Sequence, residues 1–201
     1  MSLMTPFSRR AATALLATLS LSAGLALAAE PAAPKVKFAT SEGDFVVEVY
    51  SDKAPKTVEN FLQYVKDKHY DGTIFHRVIS NFMVQGGGYD GAYAEKKTRA
   101  PVAHEGREAL AKGGPKNTVG TLAMARTNDP DSASSQFFIN VKDNDFLNPS
   151  AQAPGYTVFG KVTSGMDVVN KIKSVPTGSG GPFASDVPQT PVVIKSATLV
   201  K

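Results

Sequence analysis

Between Val36 and Ser51 the chain alternates. Phe45, Val47 and Val49 interleave with Val46, Glu48 and Tyr50, the period of two that sets every second side chain on one face of a strand. A Ser-Glu-Gly turn at 41–43 divides the stretch into two strands. After Ala54 the period changes. Val58, Phe61, Leu62 and Val65 recur at helical spacing, and Pro55 suits a first helical turn, whose N–H has no partner anyway. This predicts an amphipathic helix laid on a sheet. "TIFHRVI" and "FMVQ" then read as two short strands broken at Ser80-Asn81. Residues 86–120 are rich in Gly, Lys and Pro and read mostly as loop. "VGTLAMA" and "SQFFINV" are strand-like, with the polar loop "RTNDPDSAS" between them. "KDNDFLNPSAQAPG" is a further loop leading into the strand "YTVFGKV". "GMDVVNKIKSV" places Val168, Val169 and Ile172 on one helical face, and "TPVVIKSATLV" closes the chain as a last strand.

This amounts to about eight strands and two helices in the order ββαββ…ββ…βαβ. Strands and helices do not alternate, which disfavours a parallel doubly wound sheet. The pattern predicts a mainly β fold: an antiparallel sheet closed as a barrel, with helices over its ends. No internal repeat or second domain is visible, and 201 residues suffice for one sizeable core.

The N-terminus follows a different rule. "MSLMTPFSRR" carries two positive charges and precedes the uncharged run "AATALLATLSLSAGLALAA". Ala26-Leu27-Ala28 fits the small-x-small cleavage pattern of a secretory signal peptide. About 17 apolar residues can also span a bilayer, so an uncleaved anchor is the alternative. The cleavage pattern and the following "EPAAPK" favour removal. The expected organisation is therefore a signal peptide at 1–28, a flexible linker at 29–35 and one domain at 36–201, with no stable membrane insertion after processing. Arg9 and Arg10 leave a twin-arginine export route open.

Removing 1–28 takes away Arg9 and Arg10 and no acid, so the formal charge falls from +4 to +2. The remaining lysines are scattered, with no basic stripe to suggest nucleic acid. Cysteine is absent, which excludes disulfides, thiol catalysis, cysteine-ligated metal and a lipid-modified cysteine.

Gly86, Gly88 and Gly91 satisfy GxGxxG, but no amphipathic helix follows, as a dinucleotide site requires. The glycines read better as a backbone turning sharply beside a binding surface. His69, His76 and His104 stand in no tight ligand spacing, so no metal site is expected. His76, inside an apolar strand, reads as a hydrogen-bonded structural residue. There is no GxSxG elbow to support a hydrolase triad. Arg77 is the anomaly, a permanent charge within "FHRVISNFMVQ". Residues two apart share a face, so an inward Phe75 would carry Arg77 inward as well. The same rule puts Phe82 with Val84 and sets Met83 with Gln85 on the other side. Spacing alone leaves Arg77 equally open to an ion-paired or solvent-facing role and to a functional one.

The residues just quoted resemble the cyclophilin family of peptidyl-prolyl isomerases. "FHRVISNFMVQGGG" looks like that family's core signature, and "PKTVENF", "GTLAMA", "SSQFFIN" and "YTVFGKV" occur in its order and spacing. The resemblance runs from Val36 to Lys201. "MARTNDPDSASSQFFINV" and the short loops look most like the periplasmic bacterial branch, which with the leader implies a periplasmic protein. The resemblance implies an eight-stranded antiparallel barrel capped by two helices, with the active site in a groove on its outer face. Arg77 matches the catalytic arginine, with Phe82 and Gln85 acting beside it. Met83, Phe138 and Leu147 match the remaining walls of a proline pocket. Gln85 matches the residue that anchors the substrate backbone, and Gln136 a second pocket glutamine. Ala125 and Arg126 match the pair along which the residues before proline run; the position of Arg126 is commonly asparagine acting through its backbone.

Two departures carry consequences. Phe146 stands where many eukaryotic members have a tryptophan that helps bind cyclosporin, so tight inhibition by that drug is not expected. Tyr156 occupies a position that is often histidine, so proton transfer there cannot be essential. No cofactor or metal is implied. The implied partners are proline-containing unfolded or flexible polypeptides; no coiled coil or extra domain in the sequence suggests more than a monomer. A guanidinium also has a planar fork that can hold Gln85 in place. The competing reading is a non-catalytic chaperone or scaffold for proline-containing segments, which would have no need of Arg77.

Overall fold

The computed structural model describes Met1 and residues 33–200. The expected signal peptide and most of the linker lie outside the described residues. The chain enters with β1 (Lys35–Thr40) and β2 (Gly43–Val49), followed by α1 (Pro55–Lys66), β3 (Arg77–Ile79) and β4 (Met83–Gly86). A short α2 (Gly106–Ala111), β5 (Thr121–Met124), β6 (Phe137–Asn140) and β7 (Val158–Ser164) come next. The last elements are α3 (Met166–Ile172), the hairpin β8 (Thr177–Gly180) and β9 (Phe183–Pro188), and β10 (Ile194–Leu199). Lys35 already pairs with Glu48, and the Pro34 carbonyl accepts the Val49 N–H at 2.9 Å, so the linker ends before residue 35.

Eight strands form one antiparallel sheet in the order β10-β1-β2-β7-β5-β6-β4-β3. Its two edges meet at a seam just ahead of β3 and β10. There Ile74 bridges Val193, Phe75 N–H donates to Val192 O at 3.0 Å, and Ile194 N–H donates to Thr73 O at 2.7 Å. The result is a nearly closed barrel, as the strand pattern predicts.

The interior is aromatic. Phe38 stacks on Phe45 with centroids 5.0 Å apart, and Phe61 from α1 reaches Phe159 at 5.1 Å. Helix α1 buries Thr57, Val58, Phe61, Tyr64 and Val65, while Leu62 is only half-buried. Helix α3 buries Val168, Val169 and Ile172, the face expected from their spacing. Both helices pack into the same interior cluster.

Two elements fall where the pattern predicts none. Helix α2 fully buries only Gly106 and Ala109, too little to print a period on six residues. The β8–β9 hairpin is rich in Gly and Ser and half exposed, so it lacks apolar alternation. Just ahead of α2, Glu105 is 2% exposed and serves α1 from afar. Its carboxylate accepts Lys56 N–H at 3.1 Å, Thr57 N–H at 2.7 Å and the Thr57 hydroxyl at 2.7 Å. Ala54, at the N-cap, offers no side-chain acceptor, so this distant carboxylate fills that place at the positive end of the helix. Glu105→Ala is expected to cost about 1–2 kcal/mol, the upper range for a lost cap, read as a lower urea midpoint.

Candidate active site

Strands β4, β5 and β6 are buried on both faces, which is why their sequence reads as unbroken core. Val84, Leu122, Met124, Phe137 and Ile139 point into the barrel. Met83, Ala123 and Phe138 point outward and, with Val158 and Leu147, make a second apolar cluster. Sheet register arranges this outer face in a row: Arg77 pairs with Gln85, Gln85 with Phe138, Phe138 with Ala123, and Ala123 with Val158. One guanidinium and one carboxamide thus lie in line with an apolar floor.

The floor is hollowed. A recess of about 180 Å³ has apolar walls from Phe82, Met83, Phe138 and Leu147, and Ala125 and Tyr156 close it. Arg77, Gln85 and Arg126 supply its polar groups. A second recess of about 330 Å³ shares Gln85, Ala125 and Arg126 and continues along Thr127, Ser132, Ser134, Gln136 and Glu95.

Arg77 is exposed although Phe75 is fully buried in the barrel. The expected common face fails because alternation slips at His76: Phe75 and Val78, three apart, both face the interior. Phe75 belongs to the closing seam, whereas Arg77 belongs to the β3–β4 ladder. No ion pair among the described residues involves Arg77. Phe82 likewise parts from Val84. It lies in the turn before β4, its N–H donating to Ile79 O at 3.0 Å, and its ring packs on the outer cluster.

Gln85 is held differently from the expectation. Its Nε2 donates to Gln136 Oε1 at 3.1 Å, so the partner is the second glutamine rather than Arg77. Gly88 makes room for this contact: a Cβ there would come within 2.5 Å of Gln136 Cγ. The glycine run therefore does border the site. The Arg126 side chain is itself engaged. Its guanidinium lies 4.6 Å over the Tyr156 ring and donates to Gly155 O at 2.9 Å and Thr127 O at 2.7 Å. Tyr156 in turn meets Phe138 edge-on at 5.5 Å. The arginine and the tyrosine thus form one wall together. Phe146 lines neither recess; it is 73% exposed and stacks on Phe82 at 5.6 Å.

His76, directly before Arg77, is 3% exposed between Tyr89 and Phe183, at 4.7 and 5.3 Å. Its Nδ1 is buried without a hydrogen-bond partner. Burial, aided by the Arg77 charge, pushes its pKa down to about 4. Among the described residues no group of His, Asp and Glu is placed to hold a metal ion. No helix among them is long and apolar enough to cross a membrane. Glu95, Thr127, Ser132 and Ser134 were not foreseen as lining residues. They sit outside the barrel strands, where no period marks which side chains turn to the groove.

Residues 35–199 match the family described as cyclophilin type peptidyl-prolyl cis-trans isomerase/CLD. The chain belongs to this family. A peptidyl-prolyl cis-trans isomerase of Streptomyces antibioticus is 55% identical over 168 residues, covering 82% of this chain and 98% of its own. Peptidyl-prolyl cis-trans isomerase B of Escherichia coli is 53% identical, with the same coverage of each chain. Peptidyl-prolyl cis-trans isomerase A of Dickeya dadantii is 45% identical over 96% of this chain and 99% of its own. Among solved structures, a cyclophilin type isomerase of Cryptosporidium parvum superposes with a TM-score of 0.66 at 26% identity, over 84% of this chain and 98% of that one. The cyclophilin barrel is thus common to these chains, and its outer groove here is the row that starts at Arg77.

Proposed function

We propose that this cyclophilin accelerates cis-trans isomerisation of X–Pro bonds in unfolded or flexible segments of exported proteins, with Arg77, Gln85 and Phe82 as the catalytic residues. The observation that carries the reading is an exposed guanidinium, free of ion pairs among the described residues, in register with Gln85 beside an apolar recess. Rotation about a peptide C–N bond meets a barrier of about 18–20 kcal/mol because resonance gives it double-bond character. For X–Pro both isomers are populated, and uncatalysed exchange takes roughly tens to hundreds of seconds. At the twisted transition state the imide nitrogen loses conjugation and becomes a real hydrogen-bond acceptor. Arg77 donates to it there and barely interacts with the planar ground state, which is selective stabilisation of the transition state.

The remaining groups hold the substrate still. Met83, Phe138 and Leu147, with Phe82, grip the proline ring. Gln85, steadied by Gln136, takes the backbone on one side, and the Ala125–Arg126 edge takes the residues before proline. The Arg126–Tyr156 pair walls the pocket without a proton-transfer group, and Phe146 extends the rim. Exchange spectroscopy by NMR on an Ala-Pro peptide tests the reading. Cross-peaks between cis and trans forms are expected in the presence of enzyme; sharp resonances shifted only by binding would mean a holder.

The periplasmic assignment rests on the leader-like residues 1–28, and cleavage after Ala28 falls ahead of β1. The exported protein is expected to begin at Ala29, as intact mass and N-terminal sequencing would show. A product retaining residues 1–28 would overturn the cleavage reading in favour of the anchor.

A further inference from the structure

Behind the proline pocket lies a run of buried carboxamides. Asn117 and Asn140 are fully buried and Asn144 is 2% exposed. Asn144 Nδ2 donates to the Phe82 carbonyl at 3.0 Å and to Asn140 Oδ1 at 2.7 Å. Asn140 Nδ2 donates onward to Asn117 Oδ1 at 3.1 Å and to Thr121 Oγ1 at 3.0 Å. Asn117 Nδ2 donates to the Leu147 carbonyl at 3.2 Å. An unbroken series of side-chain hydrogen bonds thus joins the main chain of Phe82 to that of Leu147. The backbone repeats the link, Asn144 N–H donating to Asn117 O at 2.8 Å and Leu147 N–H to Asn144 O at 2.9 Å.

What this series holds is telling. Met83, Ala123, Phe138 and Val158 sit on strands, so ladder bonds fix them. Phe82 lies in the β3–β4 turn, and Leu147 in the 3-10 turn Asp145–Leu147. Of the four apolar side chains that wall the recess, Phe82 and Leu147 are the two outside the strands, and they are the two that the asparagines reach. A buried carboxamide network is rigid only when every member is satisfied, so a break at one end is felt at the other.

We propose that Asn144, Asn140 and Asn117 are positioning residues that hold the Phe82 and Leu147 walls at a set separation and thereby fix affinity for the proline ring. The proposal rests on the reading of this recess as the proline pocket. Asn144→Ala frees the Phe82 wall, although the Phe82 carbonyl keeps its bond from Val141 N–H at 3.1 Å, which favours survival of the fold. Loss of one such bond is expected to weaken binding of an Ala-Pro peptide about tenfold. The exchange rate of the peptide once bound should fall less than the affinity, since Arg77 and Gln85 lie on ladders outside the network and only Phe82 of the three catalytic residues is reached by it.

The test measures the dissociation constant and the bound-state exchange rate by NMR, well below each variant's unfolding temperature. Thr57→Val is the control: it breaks a buried hydrogen bond in α1 and should lower stability without altering affinity. Unchanged affinity in folded Asn144→Ala, or an equal loss in Thr57→Val, would overturn the proposal. If Asn144→Ala does not fold, Asn117→Ser interrupts the series at the Leu147 end and is judged by the same outcomes. The affinity measurement does not need turnover. Wild-type protein that binds the peptide without exchanging it would sink the functional reading and leave this one to be decided by affinity.

Discussion

Replacing Arg77 with alanine is expected to lower kcat/KM on an Ala-Pro peptide by about 10²–10³-fold, or roughly 3–4 kcal/mol, the scale of losing a key donor to a transition state. The loss should fall on kcat rather than KM, because the interaction matures only as the imide twists. Arg77→Lys should be nearly as poor, since an ammonium lacks the planar fork. Stability should change little. Arg77 is exposed and has no ion pair among the described residues, and surface substitutions of that kind usually fall within about 0.5 kcal/mol. A protease-coupled assay beside a urea titration separates the two quantities. Near-wild-type rates in a folded variant would remove Arg77 from the mechanism.

The second large effect concerns acid. His76 is neutral in the native barrel, with Tyr89 and Phe183 packed on its ring and Arg77 the charge beside it. An unfolded chain takes up a proton on histidine near pH 6.5, whereas folded His76 resists until about pH 4. Its contribution is therefore intact above 6.5 and drains away as pH falls towards 4, because the unfolded state binds the proton first. At about 1.36 kcal/mol per pKa unit, roughly 3 kcal/mol is lost across that window. His69, lowered by burial and by Lys96, and His104, lowered chiefly by burial, act in the same direction. Urea midpoints at pH 7, 5.5 and 4.5 should decline steadily, and His76→Phe should flatten the decline. A wild-type midpoint independent of pH over this range would show that His76 is not held neutral.

The missed elements share a physical cause. Periodicity reports burial, and it reports only segments that bury one side consistently over several residues. Helix α2 and the β8–β9 hairpin bury too little for that. His76 shows the converse. Its burial agrees with its apolar surroundings, yet the aromatic rings that enclose it, Tyr89 and Phe183, come from elsewhere in the chain. The asparagines of the network carry no local signal at all, since an amide in a strand and an amide in a loop look alike until their partners are known.

The barrel strands, the two main helices and most of the groove are legible along the chain, because alternation, helical spacing and the quoted motifs are local properties; Glu95, Thr127, Ser132 and Ser134 are not. The sequence also carries the anomaly of Arg77, a charge inside "FHRVISNFMVQGGG". Which way that charge points is set by the closed fold. Strand parity carries Arg77 inward with Phe75, but barrel closure binds Phe75 to the segment before β10 while β4 takes Arg77 into its own ladder. The slip between them turns the arginine out, into line with Gln85 and Phe138. Closure pairs residues more than a hundred positions apart, and no window along the chain contains that pairing.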